Sequence, residues 1–383
     1  MDKGETVASS VVVHSVQQAE WHEWIVAICV IAVILWLVIT VIEYVVSMRS
    51  CVSWHELRHP HLYQDTISLD HIDFKNHASR QNFEKRALEG ANVMHTKRAV
   101  FCGLCRDING PLKRLIPRIE QTGGLFGDYS VVLFENDSAD ATREAIHTWA
   151  STNHRVYLLG CPEDPHCRLK EKKMYDLGAV SENRIEKMAN FRNRYMQHIK
   201  NYYTEWDCMI VMDMDIQGAW CMDAIKELFC PEKCDAWDAV FANGRIPLPG
   251  NFGFNDMMYD MMAFQEMQEN PAQHTKDMEA GGTFGRWWNL HMKFIEVNFW
   301  SLKNPQIDES NTLYPVCSGF NGMGIYKIDA IKDCMYSGNL CEHIGLHNEM
   351  VTKKHDKLFV DLALYLTVGF QGSPFECQNK CPG

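Results

Sequence analysis

Apolar positions along this chain come in two textures. The first is a single run, Trp24–Ile42, reading WIVAICVIAVILWLVITVI with no charged residue until Glu43. At the rise of an α-helix it is about 30 Å long, the thickness of a bilayer's hydrocarbon core. It is too long for a signal-peptide core, and no small-x-small cleavage site follows it. The pattern therefore predicts a single transmembrane helix, an uncleaved signal anchor over 24–46, behind a short polar head at 1–23. Flanking charge leans against a lumenal C-terminal side, since Arg49 and Arg58 follow the run and only Lys3 precedes it. Paired cysteines, together with the order of head, anchor and large domain, lean the other way.

Residues 47–96 are polar and histidine-rich (His55, His59, His61, His71, His77, His95) with little apolar periodicity, and read as a solvated stem. The second texture begins at Arg98. RAVFCGLC (98–105), YSVVLF (129–134), VYLLG (156–160), WDCMIVMDMD (206–215) and WDAVFA (237–242) are strand-like. Helical spacing fills Pro111–Gln121, Ser138–Trp149 and Glu182–Tyr203. Strands alternating with such helices predict an α/β fold, Rossmann-like, with a mainly parallel sheet and helices on both faces. Its ligand cleft lies beyond the carboxyl ends of the strands. The domain runs over 97–376 with a tail at 377–383. Residues 243–315 break the alternation with glycines and with aromatics such as Phe252, Trp287 and Trp300, and read as an insertion or acceptor lid. Those aromatics suit the C–H faces of sugars, and equally the packing of the lid itself.

Composition changes this picture little. The formal charge of −12, from 49 acidic and 37 basic residues, argues against a nucleic-acid partner, whose phosphates need Lys and Arg. Among the 15 cysteines the close pairs Cys161/Cys167, Cys230/Cys234, Cys334/Cys341 and Cys377/Cys381 suit disulfides in an oxidising compartment. Cys102 and Cys105 sit in an apolar run and read as core.

Four segments carry chemistry. In VVLFENDSADAT (131–142) an apolar strand ends in Glu135-Asn136-Asp137, and Ser138 is a plausible N-cap. Acceptors there can grip ribose or base groups beside a helix N-terminus, or simply start the helix. In MIVMDMDIQG (209–218) strand alternation puts Asp213 and Asp215 on one face, a pair suited to a hard cation such as Mn²⁺ or Mg²⁺. On the helix before that strand, KMANFRNRYMQ (187–197) offers Arg192 and Arg194, and Arg192 is the one expected at a donor phosphate. At the C-terminal side, PVCSGFNGMGIYK (315–327) is followed by CEHIGLHNEM (341–350). There Glu342, His343 and His347 could supply a third metal ligand or an acceptor-side carboxylate, with the two histidines at i, i+4. Asn136-Asp137-Ser138 is also a glycosylation sequon, expected to be unmodified inside a cleft.

In this order the segments resemble glycosyltransferases of the GT-A fold. More narrowly, they are similar to the fungal capsule-associated α-1,3-mannosyltransferase family and to mannan-polymerase subunits. The pieces are FENDSADAT (134–142), FRNRYM (191–196), IVMDMDI (210–216), FNDMMYDMMAF (254–264), SGFNGMGIYK (318–327) and CEHIGLH (341–347). The resemblance implies a type II membrane protein of the Golgi or ER, using Mn²⁺ and a GDP- or UDP-sugar and transferring to a glycan or glycoprotein. It puts Glu135, Asp137, Asp140 and Asn321 at the nucleotide sugar, Arg192 on the donor, Asp213 and Asp215 at the metal, and Glu342 beside the acceptor. The family tends to have Cys where this chain has His343. An oligomer is compatible with all of this. Two rivals stand beside it: a non-catalytic GT-A-fold scaffold subunit, and an Asp-x-Asp phosphatase, whose Asp strand normally opens the domain.

Overall fold

The chain joins the fold well before its first predicted strand. The computed structural model describes residues 30–36, 38, 66–160, 182–247, 256–260, 262–267, 306–308, 312–337 and 341–368. It divides into two units, Met1–His59 with Gly372–Gly383, and Pro60–Gln371. In the first unit, residues 30–36 and 38 are helical and expose their apolar side chains. The rest of the predicted anchor lies outside the described residues, and among those described no helix is long and apolar enough to cross a membrane.

In the second unit, much of the predicted stem is not a linker. Ile67, Leu69 and Ile72 are buried, and helix α1 (His77–Met94) is capped by Asn76, whose side chain accepts from Ser79 N at 2.9 Å. Phe83, Ala87 and Met94 face the core together with Arg86 and Gly90, so the buried face is too mixed to read as an apolar stripe.

Strands β1 (Arg98–Cys105), β2 (Asp128–Glu135), β3 (Val156–Gly160) and β4 (Cys208–Met212) are parallel neighbours in the order β3-β2-β1-β4. Helices α2 (Asn109–Gly123), α3 (Thr142–Thr152) and α4 (Glu182–Tyr202) connect them. The chain steps outward from β1 to β3 and then jumps back past β1 to β4. Right-handed crossovers therefore put α2 and α3 on one face and α4 on the other. That reversal opens a crevice at the carboxyl ends of β1 and β4.

The other half departs from the expected parallel sheet. Helix α5 (Met222–Leu228) packs on α1. It leads to β5 (Ala239–Pro247), β6 (Asp256–Met258), β7 (Gln265–Glu266), β8 (Leu313–Ser318) and β9 (Met323–Lys327). After α6 (Ile328–Ile331) and α7 (Glu342–Thr352), β10 (Leu358–Thr367) completes the ten-stranded sheet. Strand β9 runs antiparallel between β4 and β5, β10 is parallel to β5, and β8 is antiparallel to β10. The sheet is mixed, not mainly parallel.

Cys102 and Cys105 are buried core residues, as their apolar run suggests. The pairs Cys230/Cys234 and Cys334/Cys341 are free thiols, which corrects the disulfide expectation for them. Cys234 N bonds Cys230 O at 2.9 Å as in a helical turn, and the Cys334 thiol lies 3.7 Å from Ala330 O. The other two pairs lie outside the described residues.

Candidate active site

Strand β4 is buried at every position, and its pleat continues past its end: Asp213, Asp215 and Gln217 are partly exposed while Met214 and Ile216 are buried. The two carboxylates thus leave the sheet on one side, beside the end of β1, where Glu135 and Asp215 both act electrostatically on Cys105. The backbone of Asp213 is fixed, its N donating to Gly322 O at 3.0 Å.

Arg192 faces the core from α4, on the face that also buries Ala189, Tyr195, Met196 and Ile199. Its guanidinium joins two carboxylates distant in sequence. Nε donates to Glu342 Oε1 at 3.0 Å and Nη2 to Asp213 Oδ1 at 3.4 Å. The group lies 5.4 Å from the centre of the Phe320 ring and 5.6 Å from that of Tyr336. Planar, ring-backed and always charged, it is a fixed fork and not a mobile surface cation. Arg194 points to solvent.

A third element closes the site. Tyr259, just after β6, donates its hydroxyl to Asp213 Oδ2 at 3.1 Å. Asp260 follows, with its N bonded to Asn321 Oδ1 at 3.2 Å and its Oδ1 accepting from Ala263 N at 3.2 Å. Burial, and then the charges of Asp213 and Glu342, push the Asp260 carboxyl up to about 7. Burial likewise raises Asp213, against the pull of Arg192. Asp260 was not among the expected site residues. It lies far from the Asp-x-Asp segment in sequence, and FNDMMYDMMAF reveals no spacing that singles it out.

Asn321 and Gly322 form the centre of a turn closed by Met323 N to Phe320 O at 3.1 Å, with φ of 52° and 87°. Asn and Gly tolerate this left-handed backbone where other residues are strained. The turn is pressed so close to β5 that a Cβ on Gly244 would meet Asn321 O at 1.9 Å.

The two histidines divide. His347 Nδ1 is 2.7 Å from Ser318 Oγ and its Nε2 3.0 Å from Tyr326 OH. Both nitrogens are engaged, which corrects the expectation that His347 ligates a metal. Burial pushes it down to about 3, so it is neutral. His343 stacks on Phe320 with ring centres 3.7 Å apart, and burial holds it well below the usual histidine range. Its nitrogens have no hydrogen-bond partner among the described residues, and Nε2 is 4.0 Å from Glu342 Oε1. Among the described residues no three His, Cys, Asp or Glu side chains converge as a metal site. Chemically, however, the hard oxygen donors Asp213 and Asp215 fit a divalent cation, and the charges of Asp213 and Glu342 both bear on Asp260 nearby.

The FENDSADAT segment behaves differently from expectation. Glu135 is buried, taking Ser138 N at 2.7 Å on Oε1 and Arg143 Nε at 2.6 Å on Oε2. Asp140 takes Asn109 N at 3.0 Å on Oδ2 and Thr142 N at 3.0 Å on Oδ1. With Ile108 N to Thr142 Oγ1 at 2.8 Å and Ala139 N to Asp107 Oδ1 at 2.6 Å, these bonds stitch the loops after β1 and β2 together. The carboxylates of Glu135 and Asp140 are thus engaged by the scaffold, and Asp137 is exposed with φ 55°. Ser138 does not cap α3, which starts at Thr142 behind Ala141. The sequon residue Asn136 is 3% exposed.

No protein-family model matches the chain, and no curated protein matches it in sequence. Among solved structures it is similar to a mannosyltransferase from Pyrobaculum calidifontis in complex with GDP-mannose and Mn²⁺, at 11% identity and TM-score 0.39, over 78% of this chain and 66% of that one. Glucosyl-3-phosphoglycerate synthase from Mycobacterium tuberculosis, with Mn²⁺, UDP and glucosyl-3-phosphoglycerate, gives 10%, 0.39, 76% and 77%. GalNAc-T7 with UDP, GalNAc and Mn²⁺ gives 9%, 0.40, 73% and 45%. The chain thus spans less than two thirds of the Pyrobaculum enzyme and of GalNAc-T7. Likenesses of this distance carry neither a family nor an activity, which must come from the site itself.

Proposed function

We propose that the chain is a metal-dependent glycosyltransferase of GT-A type, moving a sugar from a nucleotide-diphosphate donor to a hydroxyl of a glycan or glycoprotein. One observation carries this reading. At the crevice where the crossovers reverse, two carboxylates leave β4 together, and a buried arginine ties the first of them to Glu342. Asp213 and Asp215 would hold Mn²⁺ or Mg²⁺ against the donor diphosphate. A cation held there would supply positive charge to offset the charge growing on the departing nucleotide. The protein's own part is positioning. Tyr259 and Arg192 fix Asp213 from two sides, leaving its carboxylate one orientation. Arg192 holds Glu342 at a set distance from it, ready for the acceptor hydroxyl. Mannose, from GDP-mannose, is the first donor to try on the family resemblance.

The full chain, assayed with Mn²⁺ against UDP- and GDP-sugars, should release nucleotide diphosphate with one donor. Asp215→Asn should lower that turnover by about 100-fold or more. Undiminished release in the variant, or phosphate release from simple esters without any sugar, would remove the reading. On the same reading, residues 24–46 anchor the chain in a Golgi or ER membrane with the catalytic unit lumenal. Resistance to alkaline extraction and protection from added protease in sealed vesicles check both halves of that statement.

A further inference from the structure

His343 is 2% exposed, and neither ring nitrogen has a hydrogen-bond partner among the described residues. A buried N–H left unmade is costly, so such a group calls for a reason. The ring is held where it is. Its face lies on Phe320, with planes 17° from parallel and centres 3.7 Å apart, and Tyr336 stands across it at 5.5 Å and 82°. In that fixed plane Nε2 lies 4.0 Å from Glu342 Oε1. The same oxygen takes Arg192 Nε at 3.0 Å, while Oε2 receives no hydrogen bond from the described residues. A glutamate carboxylate turns easily about its last torsion, so one bond from Arg192 leaves its plane loosely set. A second donor on Oε1 fixes that plane and leaves Oε2 free. Burial and the charge of Arg192 keep the imidazole neutral, with one N–H to give and no charge to add. Oε1 is a negative oxygen close to Nε2, and it favours the hydrogen there.

We propose that His343 is a positioning residue for Glu342: with its hydrogen on Nε2, it donates to Oε1 beside Arg192 when the site fills, and so aims Oε2 at the acceptor hydroxyl. The role rests on the transferase reading. The present separation is about 1 Å longer than a hydrogen bond, a gap of the kind that closes when substrate tightens a site. Rotation of the carboxylate toward the stacked ring closes it. No bond is made or broken at His343, and it takes no proton. The family that the segments resemble tends to have Cys at this place, a weak donor, so the contact belongs to this chain and not to the resemblance.

The test uses the full chain in detergent with isotopically labelled imidazole nitrogens, read by NMR. The signals missing from His343→Gln identify His343. Its hydrogen should sit on Nε2, and Glu342→Gln should shift that resonance. A hydrogen on Nδ1, or a resonance indifferent to Glu342→Gln, overturns the proposal. Kinetics supply the second arm. His343→Met fills the space without a donor and should lower kcat about tenfold at unchanged KM for the nucleotide sugar. His343→Gln carries an amide N–H near the place of Nε2 and should recover most of that loss. His343→Asn carries one near the place of Nδ1 and should not. Equal losses in the three variants, or a loss confined to KM for the nucleotide sugar, would mark a packing role and overturn the proposal. A hydrogen on Nε2 that responds to Glu342→Gln, with no donor ever turned over, would instead remove the transferase reading and leave the pairing of His343 with Glu342 standing.

Discussion

Two buried charge clusters in this molecule look alike in composition and differ in balance. In the first, Glu227 of α5 is wholly buried and gives each oxygen its own cation: Arg86 Nε of α1 at 2.7 Å and Lys233 Nζ at 2.6 Å. Lys233 also reaches Thr312. In the second, Arg192 faces Asp213 and Glu342 with Asp215 and Asp260 close by, and buried nitrogens of His343 and Asn321 stay unpaired among the described residues. Both clusters bear the cost of desolvating charge. The first is satisfied within the chain and ties α1 and α5 to the loop before β8. In the second, the ion pairs seen among the described residues are those of Arg192 with Asp213 and Glu342, and two buried side chains keep nitrogens without a partner there, a condition expected where a cation and a polar ligand complete the set.

The largest effect should come from breaking the balanced cluster. Glu227→Gln strands two cations in the interior and should lower stability by about 3–5 kcal/mol. That would appear as a lower urea midpoint, with turnover per folded molecule unchanged. Asp213→Asn should do the converse, because it relieves a like-charge surplus: a melting temperature equal to or above the wild type, with Mn²⁺-dependent turnover gone. A collapse of the fold in Asp213→Asn, with Glu227→Gln tolerated, would reverse the assignment of the two clusters.

A smaller effect is pH-dependent and sits at the edge of the balanced cluster. Asp361 of β10 is buried, with Oδ1 on Ala363 N at 2.9 Å. Burial pushes its carboxyl up to about 7, with Lys233 pulling down and Glu227 pushing up. A carboxyl whose folded pKa lies above its unfolded one stabilises the fold while protonated. That contribution is complete below about pH 4 and is lost as the pH rises through about 7. Asp361→Asn keeps the Ala363 bond and cannot ionise. It should raise stability at pH 8 by about 4 kcal/mol at most and change it little at pH 4. Urea midpoints at the two pH values decide it, and equal gains at both would show that Asp361 is charged throughout.

What could be read from sequence follows how local each feature is. RAVFCGLC and VYLLG give β1 and β3 with their limits because an apolar run bounded by polar residues is a local signal. The direction of β9 is not local. GMGIYK carries no local sign of its direction, and only its insertion between β4 and β5 makes it an antiparallel strand. Helix α1 was hidden because its inward face includes Arg86, whose partner Glu227 is distant in sequence. At the site, Asp213 and Asp215 were legible because two carboxylates after an apolar strand are unusual. Arg192 was preferred to Arg194 on the same helix, and burial now separates them. Asp260 was illegible, since its significance comes from neighbours on other elements. The scaffold bonds of Glu135 and Asp140 were hidden for the reciprocal reason: an acidic helix start looks the same whether its carboxylates face a ligand or the loop beneath them.

That last ambiguity gives the smallest prediction and the sharpest one for the FENDSADAT segment. Glu135→Gln keeps an acceptor for Ser138 N but gives up the charge that holds Arg143, whose side chain is 35% exposed. Solvent softens that loss, so stability should fall by about 1 kcal/mol, and the affinity for nucleotide diphosphate with Mn²⁺ should stay as it was. Asp137→Asn tolerates the φ of 55° and removes a charge at an exposed position. It should leave the urea midpoint in place and shift the nucleotide affinity instead. Calorimetric titration of both variants with GDP and UDP separates the roles. Weakened nucleotide binding in Glu135→Gln at unchanged stability would return Glu135 to the ligand and make its contact with Arg143 incidental.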